Sequence, residues 1–563
     1  MAPPVLTDRL LRSWLRCKRR AWLDRHGPAE RRQWSAHRAL ALDDQLRSFQ
    51  SLLPKRPGHG PAACVAGAPG VMGLRLRGQG PGPLALEAHP SLLLRVEGDS
   101  RWGSFAYRPV LARQGRRVTR EHRLQLALWA RLLAEYQRAP VPQGLVLAGA
   151  DRQLEREWLS LSDGLLRQLD DSLIRLNHDL ERSTPPPLVS DRKKCTLCSW
   201  RGLCDGEAMA EGHLSEVSGI GGKRRDLLVE FGITSLPQLA AAEPALLADA
   251  LAVLGEQHRE VAPQLVAQAR IQAEGTAWRR GADGTRAAAG ETLLAALPEL
   301  RDAPGVLLYD IESDPDARDD FLHGVLRLPR QADGSWPPAL LAGTGGRAVA
   351  GGNYQPLLAM LEHGEERLWQ RLSRLLERYP DWPVLHYGET ESLGLLRLAE
   401  RQGVGEVERR RLGARLIDVH QRLRRHWLLP VNSYGLKAVA GWLGFRWSQK
   451  GVDGARCLLW WRQWRQGSRE PRLAAHQLSR IFRYNHDDVL ATWAVARWLL
   501  DQDSGPEVLS AGSPWRPPPP APTGAGTKAS GRVSSSLIPS APSPTIRSAA
   551  SSAWRRTRAR PIQ

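Results

Sequence analysis

Cysteine is scarce in this chain, with six in 563 residues. So few thiols in so long a chain argue against a disulfide framework of the small secreted kind, and three of the six crowd into one short stretch. Long apolar runs are missing as well. None approaches the roughly 18 residues that a membrane span requires, so no membrane partner is expected. Acid is short relative to base: 59 Asp and Glu stand against 79 Lys and Arg, only eight of them lysine, for a formal charge of +20. Such an excess favours a polyanionic partner, DNA first and RNA second. The opening residues "MAPPVLTDRLLRSWLRCKRRAWL" break their apolar stretch with arginines. That pattern argues against a secretory signal and for an amphipathic first helix, so the expected location is cytoplasmic.

What is present is enough chain for several domains, each with its own core. Strand-like runs such as "GVLLYDIE" and "PVLHY" alternate with helical stretches such as "REHRLQLALWARLLAEY", which predicts an α/β multidomain protein. The expected divisions are a first domain over residues 1–205, a helical region over 206–272, a linker over 273–303, a second α/β domain over 304–504 and a basic tail over 505–563. The linker is placed on the Gly- and Ala-rich "EGTAWRRGADGTRAAAGET", which lacks clear periodicity. From Ser513 to Gln563 the tail holds eight Lys or Arg and no acid. With so few apolar residues it is expected to stay disordered.

The clustered thiols are Cys195, Cys198 and Cys204 in "KKCTLCSWRGLC", one short of a closed four-ligand cage. Cys17 and Cys64 are the candidates for the fourth. Cys64 falls in a Gly-rich stretch, whereas Cys17 falls in "LLRSWLRCKRRAWLDRHG", read as one helix that can pack on the core. An all-thiolate set suits either Zn²⁺ or an iron–sulfur cluster. The cluster spacing, joined to a distant N-terminal cysteine, resembles the iron–sulfur staple of RecB-type nucleases. That resemblance implies a 4Fe–4S cluster on Cys17, Cys195, Cys198 and Cys204, with zinc as the alternative.

Residues 1–205 resemble RecB-type PD-(D/E)XK nucleases more broadly, at "LRCKRRAWLDRHG", "RLQLALWARLL" and the cysteine cluster. The resemblance implies a helix bearing Gln125 and, in place of the usual Tyr, Trp129 on one face. Its chemistry needs carboxylates for Mg²⁺ and a nearby Lys. At the matching positions in "HPSLLLRVEGD" and "YRPVLARQG" stand Ser91 and the triplet Leu111, Ala112, Arg113. Ser and Leu do not replace a carboxylate as a magnesium ligand. Glu87, Glu97 and Asp99 lie nearby at the wrong spacing. The expectation is a degenerate nuclease domain that keeps its scaffold.

"HLSEVSGIGGKRRDLLVEFGITSLPQLA" follows, with Gly219 and Gly221 forming a tight turn between two short helices and Gly232 as a C-terminal cap. It resembles the helix-hairpin-helix motif of DNA-repair proteins. The turn would present backbone N–H groups to a phosphate, with Lys223 and Arg224 adding charge. Such contacts read the backbone rather than the base sequence.

The strand "GVLLYDIES" ends in Asp310 and Glu312, two apart and therefore on one face. Late in the chain, "RYNHDDVLATWAVARWLL" places Tyr484 and Asp488 four apart on one helix face, with Val489 and Trp493 toward the core. Asp-x-Glu on an early strand with Tyr-x-x-x-Asp on a late helix resembles the DEDD exonucleases of the RNase H-like fold, over residues 304–502. The resemblance implies a middle acid, for which Glu391 in "PVLHYGETESLGLLRLAE" is the first choice and Glu389 the second. Asp418 is a further candidate contact to metal or substrate. A degenerate RecB-type domain followed by an RNase H-like domain resembles a bacterial family of RecB-like nucleases. The implied activity is phosphodiester hydrolysis, of the 3′–5′ exonuclease kind, with Mg²⁺ or Mn²⁺ held by Asp310, Glu312 and Asp488. Glu391 would complete the site and Tyr484 would orient water. The rival reading is a non-catalytic DNA- or RNA-binding scaffold.

Overall fold

The computed structural model describes residues 5–503 apart from 54, 115–116, 151–152, 191, 254, 289–293, 315–318, 344–351, 361–363 and 468–470. The tail over 505–563 lies outside the described residues. The described chain is a mixed α/β protein built from several packed units.

The chain begins with two helices, α1 (Asp8–Arg16) and α2 (Lys18–His26), then α3 (Ala36–Leu52). Cys17 does not continue a helix as expected. It adopts an extended conformation (φ −163°, ψ 118°), closing α1 and capping α2, where its sulfur accepts from Arg20 N. A six-stranded sheet follows, whose central members are Leu92–Ser100, Gly103–Gln114 and Gln143–Ala150. The first two form an antiparallel pair, and the third runs parallel to the second after the crossover helix α4 (Arg120–Gln137). Residues 124–130 of α4 are buried without interruption, because the helix is covered by the sheet on one side and by α1 and Asp163–Leu180 on the other.

Beyond α5 (Arg201–Ala210) lies a small helical region that includes α6 (Gly222–Glu230) and α7 (Ala262–Glu274). Its own core contains Leu214, Val217, Leu228, Leu239 and Leu265. The segment before Gly219 is a single 3₁₀ turn, Leu214–Glu216, rather than the first helix of a hairpin.

The second α/β unit has a five-stranded sheet: β1 (Gly305–Asp314), β2 (Asp319–Pro329), β3 (Asn353–Leu358), β4 (Val384–His386) and β5 (Leu416–Asp418). The strand order is β3-β2-β1-β4-β5. The first three pair antiparallel, whereas β4 and β5 run parallel to β1. Helix α8 (Glu389–Arg401) follows β4, and α9 (Val419–His426) follows β5. Then come α10 (Leu436–Trp442), α11 (Gly454–Arg465) and the 33-residue α12 (Pro471–Asp503). Alternation along β1 divides the core. Leu307 and Tyr309 pack with the helix Gly364–Arg378, whereas Val306 and Leu308 pack with Val489, Trp493 and Ala496 of α12. Period two therefore puts Asp310 and Glu312 on the α12 side.

The stretch expected as a linker over 273–303 is, in its described residues, strapped to this unit at both ends. Trp278–Arg279 pairs antiparallel with Trp427–Leu428, and Ala296, Leu297 and Leu300 are buried in the core. Arg279 and the backbone N of Ala296 both bond Asp503 at the end of α12. Burial of isolated apolar residues holds the segment, which is why its composition looks loop-like.

Candidate active site

Asp310, Glu312 and Asp488 converge where β1 meets α12. Their carboxylate oxygens lie within 4.8 Å of one another, and among the described residues theirs is the one His, Cys, Asp or Glu group so close. Glu312 and Asp488 are buried and Asp310 is partly exposed. Burial is the largest force raising their pKa values; repulsion within the group adds to it at Asp310 and Glu312, and the neighbouring Asp487 adds to it at Asp488. Asp310 and Glu312 are held well above the carboxylate range, and Asp488 is pushed up to about 6. The donor set is all oxygen, hard and anionic, which fits Mg²⁺ or Mn²⁺.

Neighbouring side chains fix the carboxylates. Asn485 Nδ2 donates to Asp310 Oδ2 at 2.7 Å and also bonds Glu312, while its own Oδ1 accepts from Tyr354 OH at 2.8 Å. Trp447 Nε1 donates to Asp488 Oδ1 at 2.6 Å, and the Tyr484 hydroxyl also bonds Asp488. Burial keeps the Tyr484 phenol far above its usual pKa, so it stays a neutral donor. Asp487 accepts from the Ser448 backbone N and hydroxyl, which anchors the segment carrying Trp447. Asn485 and Trp447 carry no motif signature. The dipeptide "YN" and the run "GFRWSQK" hold them, and their role comes from the tertiary contact alone.

Glu391 sits in the first turn of α8, outside the three-carboxylate group. Burial pushes it up to about 7, its charge acts on Asp310 and Asp488, and its Oε2 is buried without a hydrogen-bond partner. Glu389 is exposed. Asp418 has one oxygen engaged by backbone. Its Oδ1 accepts from the backbone N of Gly388, His420 and Gln421, capping α9 and fixing the turn that leads into Glu391.

The N-terminal residues form no comparable group. Ser91 stands just before the strand Leu92–Ser100 and is partly exposed, and Leu111 and Arg113 are buried in the next strand. Arg113 lies 4.0 Å from Glu157. Gln125 and Trp129 are buried on α4, and Trp129 Nε1 donates to Asp8 at 2.8 Å. Glu87 is taken up by Arg75 and Arg77, while Glu97 and Asp99 are exposed on the hairpin.

The four cysteines of the expected cluster lie in one region. Burial raises the thiol pKa values of Cys17, Cys195 and Cys204, and the charge of Cys198 adds to this at all three, with Cys17 also acting on Cys195. No three of their sulfurs lie within 4.8 Å of one another. Cys64 is buried elsewhere, in the helix Pro61–Val65. In the helical region Gly219 takes φ +92° and Gly221 caps α6. Lys223 is exposed, whereas Arg224 folds back to donate to Gly219 O at 2.8 Å.

A protein-family model described as the RNase_H superfamily matches residues 340–500. The C-terminal domain is RNase H-like. The match includes Glu391, Tyr484 and Asp488 but starts after β1 and β2, so Asp310 and Glu312 join the RNase H-like domain through the sheet. No curated protein matches the chain. Among the described residues, no helix is long and apolar enough to cross a membrane.

Proposed function

We propose that the RNase H-like domain is a metal-dependent nuclease of the 3′–5′ exonuclease kind, with DNA the first candidate substrate and RNA the second. The observation that carries this reading is the convergence of Asp310, Glu312 and Asp488 at one point beside a partnerless buried oxygen of Glu391. Buried carboxylates so close together are stable as anions only with cations between them. Bound there, two Mg²⁺ or Mn²⁺ ions would supply Lewis acidity for in-line hydrolysis of a phosphodiester. Asp310, Glu312 and Asp488 would hold them, with Glu391 completing the site. Asn485 keeps Asp310 and Glu312 aimed, Trp447 does the same for Asp488, and the neutral Tyr484 hydroxyl orients the attacking water.

The N-terminal domain serves as a degenerate RecB-type scaffold that binds nucleic acid without cutting it. The Gly219–Gly221 turn adds backbone-phosphate contacts, mainly through Lys223, since Arg224 is spent on the turn itself. Cys17, Cys195, Cys198 and Cys204 hold a 4Fe–4S cluster. A zinc cage with Zn–S bonds of about 2.3 Å would draw its sulfurs to roughly 3.8 Å, tighter than the spread of these thiols. The protein works in the cytoplasm.

The test is an assay of the purified protein on end-labelled single- and double-stranded DNA and RNA with Mg²⁺ or Mn²⁺. Metal-dependent release of nucleotides, lost in Asp310→Ala, is expected. An Asp310→Ala variant that cuts as fast as the wild type would leave the non-catalytic scaffold as the reading.

A further inference from the structure

The site faces a cation that no motif contains. Lys437 lies in the first turn of α10, is exposed, and reaches back toward the carboxylates. Its Nζ donates to Val452 O at 2.6 Å, stands 5.0 Å from the centroid of the Tyr484 ring and 6.0 Å from that of Trp447. Both rings belong to residues that bond Asp488. Val452 leads into Gly454, whose Cα faces Glu312 so closely that an added Cβ would come within 4.0 Å of its Oε2. The ammonium group is thus tethered to the lip of the site, with its charge felt at both Glu312 and Asp488. It nevertheless pairs directly with neither carboxylate, and two of its three N–H donors have no partner among the described residues.

From this arrangement we propose that Lys437 is a catalytic residue that contacts a non-bridging oxygen of the scissile phosphate. The proposal rests on the hydrolytic reading above. A cation placed to neutralise Glu312 or Asp488 would pair with one of them. A cation held back from both leaves a gap that an anion can enter. Residue choice agrees with this, because lysine supplies only eight of the 79 cations in the chain. An ammonium is a compact charge that fits between two rings, whereas a guanidinium fork needs more room. In the reaction, the water oxygen forms its bond to phosphorus as the bond to the leaving sugar oxygen breaks. The water gives up a proton to solvent and the leaving oxygen takes one from solvent. Lys437 keeps its own protons throughout, and its charge offsets the negative charge that gathers on the phosphoryl oxygens.

The experiment compares wild type with Lys437→Met and Lys437→Arg in three measurements: nuclease kcat, Mn²⁺ affinity by calorimetry, and affinity for deoxyadenosine 5′-monophosphate in the presence of Mn²⁺. Lys437→Met should lower kcat on the order of 10²-fold. It should weaken the monophosphate by about tenfold or more, the loss of one charge-assisted contact. Mn²⁺ should bind as tightly as before or tighter, since a repelling cation is gone, and Lys437→Arg should recover part of the monophosphate affinity. Unchanged monophosphate affinity in Lys437→Met would overturn the proposal. So would a joint fall in Mn²⁺ affinity and thermal stability, which would mean that Lys437 only tethers Val452. A wild type that binds the monophosphate with Mn²⁺ but cuts nothing would sink the hydrolytic reading and the catalytic role of Lys437 with it, while a loss of monophosphate affinity in Lys437→Met would still uphold the phosphate contact. A wild type that binds neither would sink both.

Discussion

Gly324 faces Asp310 across the β1–β2 pair, and a Cβ there would fall 1.6 Å from Asn485 Oδ1. Asn485 has nowhere to retreat, being fully buried with Tyr354 bonded to the same oxygen. Gly324→Ala should therefore push Asn485 off Asp310 and leave the metal ligands misaimed. The expected result is a loss of hydrolysis on the order of 10²-fold with the fold intact, checked by steady-state kinetics beside circular dichroism. Wild-type activity in Gly324→Ala would show that Asn485 does not position Asp310. Asp310 and Glu312, and Tyr484 and Asp488, were legible in the sequence because strand period two and helix period four are local rules. Asn485, Trp447 and Lys437 were not, because each meets its partner only after distant segments pack. Asp418 was read as a candidate metal or substrate contact, whereas its role as the acceptor of three backbone N–H groups was not legible.

The break between α1 and α2 shows how an element boundary can serve a site. A continuous helix would leave Cys17 facing wherever period 3.6 sends it. The extended conformation at Cys17 instead sets it where its charge acts on Cys195, on the 3₁₀ helix Arg192–Leu197, and where that of Cys198, just beyond that helix, acts on it; Cys204 follows on α5. Apolar periodicity runs on through "SWLRCKRRAWL", so the sequence read as one helix and the interruption was hidden. Protein purified without oxygen should be brown, and Cys17→Ser should bleach it and lower the thermal midpoint. A colourless wild type with one stoichiometric zinc would contradict the iron–sulfur reading and retain the four-thiolate cage. The turn at Gly219 was legible from its glycines, whereas the helix expected before it is one 3₁₀ turn. Three residues are too few for propensity to distinguish a turn from a helix.

The units of the molecule are joined by buried charge. Arg462 on α11 makes a two-point contact with Asp314 at the end of β1, at 2.9 and 2.6 Å, and a third bond to Asp44 on α3 at 2.8 Å. Beside it, Leu40 of α3 packs with Phe321, Trp460 and Trp461, and Arg456 lies 3.8 Å from the Trp34 ring centroid. Asp314 continues the acidic alternation of Asp310 and Glu312, but Arg462 claims it, so it is no part of the metal group. Arg462→Met would take the two-point contact away from the buried Asp314 and should cost about 3–5 kcal/mol. Adding Asp314→Leu should recover most of that loss, with both read by urea unfolding. A single variant as stable as wild type would show that the N-terminal unit is not tied to β1 by charge. The alternating strands and helices made the α/β class legible. The strap over residues 273–303 and the Asp44–Arg462–Asp314 bridge were not, since the partners stand more than a hundred residues apart with no pattern linking them.

Hydrolysis by the C-terminal domain requires that Asp310, Glu312 and Asp488 form a cation site. Its most direct test is calorimetric titration of Mn²⁺ into the wild type and Asp310→Asn, with the thermal midpoint followed alongside. Wild type should bind two ions per chain and gain thermal stability as it fills. Asp310→Asn should lose at least one ion and, without metal, melt no lower than the wild type, because one of the repelling charges is gone. Equal Mn²⁺ binding by the two proteins, or none by the wild type, would contradict it.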